Sequence, residues 1–425
     1  MTATQPTRWA SDHHHGSHRG LLRPVPVSVP TETRLEMIAV PTSRPASYLA
    51  EAVRLAGNLG CMLLVLASGK CSVPEIERRY GHLLDGRLIV VDVPTGYARY
   101  TSMFRFEADD VAAGASTRPS DISVKRNVGL IVARALGVRR LFFVDDDIVV
   151  PDWVDVFRAA SALGKHRWAA GMNILGYPDN SVVCHINRET GGHQETFVGA
   201  GALMVNPQRV NGFFPNVYNE DWFFLLDCAA ERAVVTTGTA FQRPYDPLST
   251  PSRARREEFG DVLAESLFWQ LDQGSPLEHL TEKFWAKAIE RRRFFVDDVR
   301  ARTERLDPET ARRMIAALSA ATGAHREFTA RVCADYVRAW QADRVRWARD
   351  LPLFSTPSSL GEVLDRLGLP LYGSADRLAT VTVDRSRQTR LLPAPLANAS
   401  GMPVFGLASP ASLAVSVDSA IAKAG

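Results

Sequence analysis

The chain has little of what marks the specialised protein classes. Its five cysteines, Cys61, Cys71, Cys184, Cys228 and Cys333, are scattered and form no Cys-x-x-Cys pair. That excludes a zinc knuckle or a disulfide framework as the organising principle and fits a reducing cytoplasm. No run of about eighteen apolar residues occurs, so no spanning helix is expected. The N-terminus has no apolar signal core. The formal net charge is only +3, which gives no case for nucleic acid as the main partner. No internal repeat is present. With 46% hydrophobic and 23% charged residues, the composition is that of an ordinary globular protein. A length of 425 residues gives room for one large domain and a second unit.

The polar, proline-containing lead, with His13, His14, His15 and His18, reads as a flexible leader over residues 1–34. An alternation follows. Leu35 to Val40 reads as a strand, Pro41 to Pro45 as a loop, and Tyr48 to Leu59 as a helix ending near Gly60. Cys61 to Ala67 and Arg87 to Val93 read as strands flanking a short helix at Pro74 to Tyr80. Residues 94–120 read as loop, Ser123 to Leu136 as a helix, and Leu141 to Val144 as a fourth strand. Strands and helices at this spacing make a parallel sheet with right-handed crossovers, which binds ligands at the carboxyl ends of its strands. Further on, Trp168 to Ile174 and Ser181 to Ile186 read as strands. Phe223 to Arg232 and Glu257 to Gln270 read as helices. Leu280 to Asp350 is strongly helical, and the Ala/Ser/Pro-rich end reads as partly disordered. The domain reading is a leader at 1–34, an α/β domain at 35–275, a helical appendage at 276–375 and a tail at 376–425.

The chemistry concentrates at Leu141-Phe142-Phe143-Val144-Asp145-Asp146-Asp147-Ile148. A buried strand runs straight into three carboxylates, which repel one another unless a cation sits among them. In an extended segment Asp145 and Asp147 would share a side and Asp146 would point away. Oxygen ligands of this kind suit Mg²⁺ or Mn²⁺. The ordinary alternative is a solvated turn or a helix cap before Pro151-Asp152-Trp153. Ser123 to Leu130 opens the helix feeding this strand. Its Lys125 and Arg126 would meet a phosphate, or Arg126 would order the aspartates by ion pairing. In Asn219-Glu220-Asp221-Trp222-Phe223, burial beside aromatics suits Asp221 to accept a proton, with Glu220 orienting it; a helix N-cap pair is the alternative. Gly199 and Gly201 would let backbone approach a sugar or simply pack tightly. Glu257, Asp261 and Glu265 share a helix face, read as solvated and balanced by the preceding arginines.

Taken together, the Arg126-Asn127 helix start, the Val144 to Asp147 segment and the Glu220-Asp221 pair resemble family 2 type glycosyltransferases of the GT-A fold over about Leu35 to Glu265. The resemblance implies a nucleotide-sandwich, Rossmann-like α/β fold whose mixed sheet is mainly parallel, here with a C-terminal helical extension. It implies Mn²⁺ or Mg²⁺, a nucleotide-sugar donor and an acceptor that the sequence does not name. By matching positions, Asp145 and Asp147 would hold the metal and Asp221 would be the base of an inverting transfer. Pro41, Thr42, Arg44, Ser68, Lys125, Arg126, Asp145, Asp146, Gly199 and Gly201 would line the donor site.

The chain departs from the pattern in two places. Relatives place an aspartate just after the second strand to hold the nucleotide base; here Ala67-Ser68-Gly69-Lys70 stands there, so Ser68 or a neighbour must substitute. Between His193 and His279 no histidine offers a third metal ligand, leaving Gln242, water or fewer protein ligands. Two other classes stay open. Asp145-Asp146-Asp147-Ile148-Val149 also matches the Asp-x-Asp-x-Thr/Val string of haloacid dehalogenase-like phosphatases, although about four strands precede it. A non-catalytic protein retaining the GT-A fold is the other. Contact with a membrane surface through the Arg-rich helices and the oligomeric state are left open by the sequence.

Overall fold

The computed structural model describes residues 17–25, 33–99, 101–113, 115, 120–177, 180–275, 277, 280–354 and 359–372. The chain enters a sheet at β1 (Met37–Thr42) and crosses through α1 (Ala50–Leu59) to β2 (Met62–Ala67). It continues through α2 (Val73–Tyr80) to β3 (Leu88–Asp92), then through α3 (Glu107–Ala112) and α4 (Ile122–Ala135) to β4 (Leu141–Val144). β1 lies between β2 and β4, and β3 flanks β2, all parallel. These strands are apolar at nearly every position because both faces are covered. The pleat sorts their side chains into two cores. Met37, Ala39, Leu141 and Phe143 enter one; Ile38, Val40, Phe142 and Val144 enter the other.

After β4 come β5 (Ile148–Val149), α5 (Trp153–Ala162), β6 (Ala169–Leu175), α6 (Val182–Glu189), β7 (Ala202–Val205), α7 (Glu220–Ala230), β8 (Val234–Gln242) and α8 (Pro251–Asp272). The last described elements are α9 (Glu282–Thr303), α10 (Pro308–Ala324), α11 (Ala330–Asp350), α12 (Leu360–Leu367) and β9 (Leu371–Tyr372). The sheet order is β5-β8-β6-β7-β4-β1-β2-β3-β9. β7 is antiparallel to both β4 and β6, while β6 and β8 are parallel; β5 and β9 run antiparallel at the edges. β1, β2, β3, β4, β6 and β8 therefore share one direction. The fold is α/β, with a mixed, mainly parallel Rossmann-like sheet and a helical C-terminal part. Trp285, Tyr336, Trp340 and Trp347 of the late helices share one core with Phe143, Phe223 and Phe259. Among the described residues, no helix is long and apolar enough to cross a membrane.

Several local expectations are corrected. Ser181 to Ile186 is the start of α6, not a strand: the Ser181 hydroxyl accepts the Cys184 N–H at 3.4 Å, and Val182, Val183 and Ile186 pack in one core with Phe295 and Leu318. Residues 94–120 contain α3, whose first N–H groups donate to the Asp343 carboxylate of α11 at 3.0 and 2.9 Å. That cap comes from far along the chain, so local sequence does not announce it. The leader reading fails at residues 17–25. His18 is buried, stacks on Phe268 at 3.9 Å and accepts the Val198 N–H at 3.1 Å, and Leu22 bridges to Val234 of β8. Burial drives the His18 pKa down to about 3, so the ring is neutral, as an acceptor must be. His13, His14, His15 and the tail at 376–425 lie outside the described residues.

Candidate functional site

β4 ends at Val144 and the aspartates form a turn, closed by the Ile148 N–H donating to the Asp145 carbonyl at 3.0 Å. Asp145 N–H donates to Gly201 O at 3.0 Å, and Arg243 N–H donates to Asp147 O at 2.8 Å, which pins the turn between β7 and the end of β8. Because the segment turns rather than running extended, the expected alternation does not hold. Asp145, Asp146 and Asp147 all line one cleft of about 330 Å³. Its other walls are the Pro41 to Arg44 loop after β1, the Ser120 to Lys125 start of α4, and Gln242, Tyr245 and Arg253 beyond β8.

The acidic turn is met by one hydroxyl and two arginines. Thr42 Oγ1 donates to Asp146 Oδ2 at 2.6 Å. Arg44 reaches Asp146 Oδ1 at 3.1 Å and Asp147 Oδ2 at 3.0 Å, with its guanidinium 5.2 Å from the Tyr48 ring. Arg126, buried, spans Asp145 Oδ1 at 2.8 Å and Glu220 Oε1 at 2.6 Å. Burial and the neighbouring aspartates push the Asp145 pKa up to about 6 against the pull of Arg126. Burial likewise raises Asp146, opposed by Thr42 and Arg44. Lys125 is buried, with Nζ 2.9 Å from Asp121 Oδ1 and donating to Thr42 O at 2.8 Å; burial lowers its pKa.

Glu220 and Asp221 open α7. Glu220 is buried against Arg126. Asp221 accepts from Ala200 N–H at 2.8 Å and from Trp222 N–H at 3.0 Å. Asp221, Glu220 and Arg126 are not among the cleft's lining residues; Arg126 links Glu220 to the cleft through Asp145. Gly199 and Gly201 are also outside the lining. A Cβ on Gly199 would sit 3.1 Å from Asp221 Oδ2, and one on Gly201 would sit 3.1 Å from Ile174 and 3.5 Å from Asp145 Oδ2. Gly199 lets the Asp221 carboxylate approach the backbone, and Gly201 makes room for Ile174. Ser68 stands back too, donating to Asp121 Oδ2.

A second buried polar network lies behind α7. Asn219, its N-cap, has φ +61° and donates to Asp261 Oδ1 at 2.8 Å. Asp261, Glu258 and Glu265 of α8 all contact Arg292 of α9, at 2.5, 2.7 and 3.1 Å. His325 Nε2 lies 2.6 Å from Glu258. The face expected to be solvated is therefore buried, and its main partner is Arg292. Of the preceding arginines, Arg253 pairs with Glu257 at 2.8 Å. Burial first, then the neighbouring acids, raises Asp261 well above the usual range, while Arg292 and His325 together outweigh burial at Glu258 and hold it at about 2.

A cation fits this turn only in a restricted way. Asp145 and Asp147 each keep one carboxylate oxygen without a hydrogen-bond partner among the described residues, whereas both oxygens of Asp146 are taken. No group of three His, Cys, Asp or Glu side chains that could hold an ion occurs among the described residues. Two carboxylates, with Gln242 on the same cleft, match the sparse protein coordination of Mg²⁺-like ions, whose remaining sites go to phosphate and water. Arg44 already supplies positive charge there.

Five lining residues are not read from the sequence as part of the site: Ser120, Asp121, Ile122, Tyr245 and Arg253. Asp121 precedes Lys125 by four residues on the same helix start, a pairing that was legible. Held by Ser68, it brings a carboxylate to the end of β2, where the sequence itself has none. Tyr245 and Arg253 follow a strand that was not recognised.

No family model matches the chain, and no curated protein matches it. Among solved structures, the chain is similar to a glucosyl-3-phosphoglycerate synthase from M. tuberculosis, with 11% sequence identity, 58% of this chain and 82% of that one covered, and a TM-score of 0.33.

Proposed function

We propose that the chain is a glycosyltransferase whose cleft binds the diphosphate of a nucleotide-sugar donor with Mg²⁺ or Mn²⁺ at Asp145 and Asp147. One observation carries the reading: three aspartates closing the fourth strand share a cleft with the first β–α loop, and two of them keep an open oxygen. When bound, the divalent ion supplies Lewis-acid stabilisation of the negative charge that builds on the leaving diphosphate. Arg126 holds Asp145 in place and keeps it anionic against burial. Arg44 and Thr42 do the same for Asp146. Lys125, paired with Asp121, ties the start of α4 to the end of β1 at the Thr42 carbonyl, beside the loop that faces the nucleotide. Asp221, half-buried at the start of α7 and held by two backbone N–H groups, lies outside the cleft's lining, so the base role assigned to it requires an acceptor hydroxyl that reaches it beside the cleft and loses its proton there as the oxygen attacks the sugar carbon, giving inversion.

A thermal-shift screen of nucleoside diphosphates and nucleotide sugars, with and without Mn²⁺, tests the reading. A ligand at a hundred times its Kd stabilises by about 2.7 kcal/mol. Asp221→Asn should keep donor binding and lose transfer. Release of phosphate from an aryl phosphate, with no nucleotide binding, would favour the phosphatase alternative instead.

A further inference from the structure

We propose that Arg253 is an oxyanion subsite of the cleft, taking a phosphate or carboxylate group of a substrate. The cleft's other lining cations are already engaged: Arg44 by Asp146 and Asp147, Lys125 by Asp121 and the Thr42 carbonyl. Arg253 differs. Its Nε donates to Glu257 Oε1 at 2.8 Å, while its two terminal nitrogens have no hydrogen-bond partner among the described residues. Those nitrogens form the planar edge that matches two oxygens of a carboxylate or phosphate.

The guanidinium is also held in one orientation. It lies 4.8 Å from the Tyr245 ring centre, and Tyr245 packs on Tyr177 at 4.5 Å. Glu257 is buried and is itself fixed by the Val182 N–H at 2.7 Å. A group tethered at Nε and over an aromatic face loses little freedom on binding a ligand. Burial opposes the Arg253 charge, but the Glu257 carboxylate outweighs it, so the guanidinium stays protonated. In a cleft lined by Asp121, Asp145, Asp146 and Asp147, an anionic substituent is repelled at most positions. Arg253 offers it a place.

The subsite stands on this geometry alone; only the identification of the anion as part of a transfer substrate rests on the glycosyltransferase reading. The anion is either the donor's diphosphate or an acidic group on the acceptor, and the two sources are separable. Inorganic phosphate and the four nucleoside diphosphates would be titrated calorimetrically, in Mg²⁺, into the wild type, Arg253→Gln, and Arg253→Gln/Glu257→Gln. The double variant leaves no buried unpaired carboxylate. Loss of at least about tenfold in affinity, the scale of a charge-assisted hydrogen bond, in both variants at unchanged melting temperature supports the subsite. If the nucleoside diphosphate titration carries the loss, the donor is the source. If phosphate binding on top of saturating nucleoside diphosphate carries it, the acceptor is. If phosphate binding is lost in the variants but no nucleoside diphosphate binds the wild type, the subsite stands and the glycosyltransferase reading fails. Equal binding of every probe by wild type and double variant, or no binding of any probe by the wild type, overturns it.

Discussion

Arg44 pairs with Asp147 at 3.0 Å, so the loop after β1 provides positive charge at the acidic turn. The Arg44 side chain is 43% exposed, and an ion pair of that exposure contributes little to stability. Arg44→Ala should leave the melting temperature within about two degrees of wild type, on the 4–8 °C per kcal/mol scale of small domains and less for larger ones. The same change removes a competing cation, so Mn²⁺ affinity in the absence of nucleotide should rise several-fold. A manganese titration checks this, and weaker binding in the variant would count against Arg44 as the resident counter-ion.

The Asn219–Asp261 bond couples the start of α7 to the α8–α9 network. Asn219 holds φ +61°, a conformation that asparagine and glycine tolerate and alanine adopts at a cost of roughly 1–2 kcal/mol. Asn219→Gly should lose only the hydrogen bond, and Asn219→Ala should lose the bond and add the strain. Denaturant melts should therefore rank wild type above Gly above Ala. Equal stability of the two variants would show that the left-handed backbone is not retained.

Asp109, on α3, gives a pH signature. Burial first, then repulsion from Asp343 and Asp110, raises its pKa to about 7, against the help of the Asn216 N–H. The unfolded chain titrates it near 4, so between about 4 and 7 the folded state binds the extra proton. The stability this contributes is full below pH 4 and is lost as pH rises through 7. Asp109→Asn removes that loss, so its melting temperature relative to wild type should climb between pH 5 and pH 8. A gap independent of pH would mean that Asp109 is ionised throughout.

How much of this was legible follows the range of each signal. β1 to β4 were readable because burial on both faces leaves continuous apolar runs, and α1 shows its stop at Gly60, which caps it with φ +63°. β8 was not, because Val234-Val235-Thr236-Thr237-Gly238-Thr239 breaks the apolar run and pairs with β6 across a register shift between Gly171 and Asn173. Missing β8 hid Tyr245 and the place of Arg253 on the cleft, although Arg253 itself reads as a partner of the acidic helix face. The acidic turn stood out locally, but its partners did not: Arg44 and Asp147 are 103 residues apart, and Arg292 reaches Asp261 across 31. Charge periodicity on α8 reads the same whether the face meets water or a buried arginine, and only packing decides between them.

The central claim is that Asp145 and Asp147 close a divalent-ion and diphosphate site at the end of β4. Calorimetric titration of the nucleoside diphosphate that best stabilises the wild type, into wild type and Asp147→Ala with and without Mn²⁺, tests it most directly. The account predicts Mn²⁺-dependent binding in the wild type and none in Asp147→Ala at an unchanged melting temperature. Equal, metal-independent binding by the two proteins would contradict it.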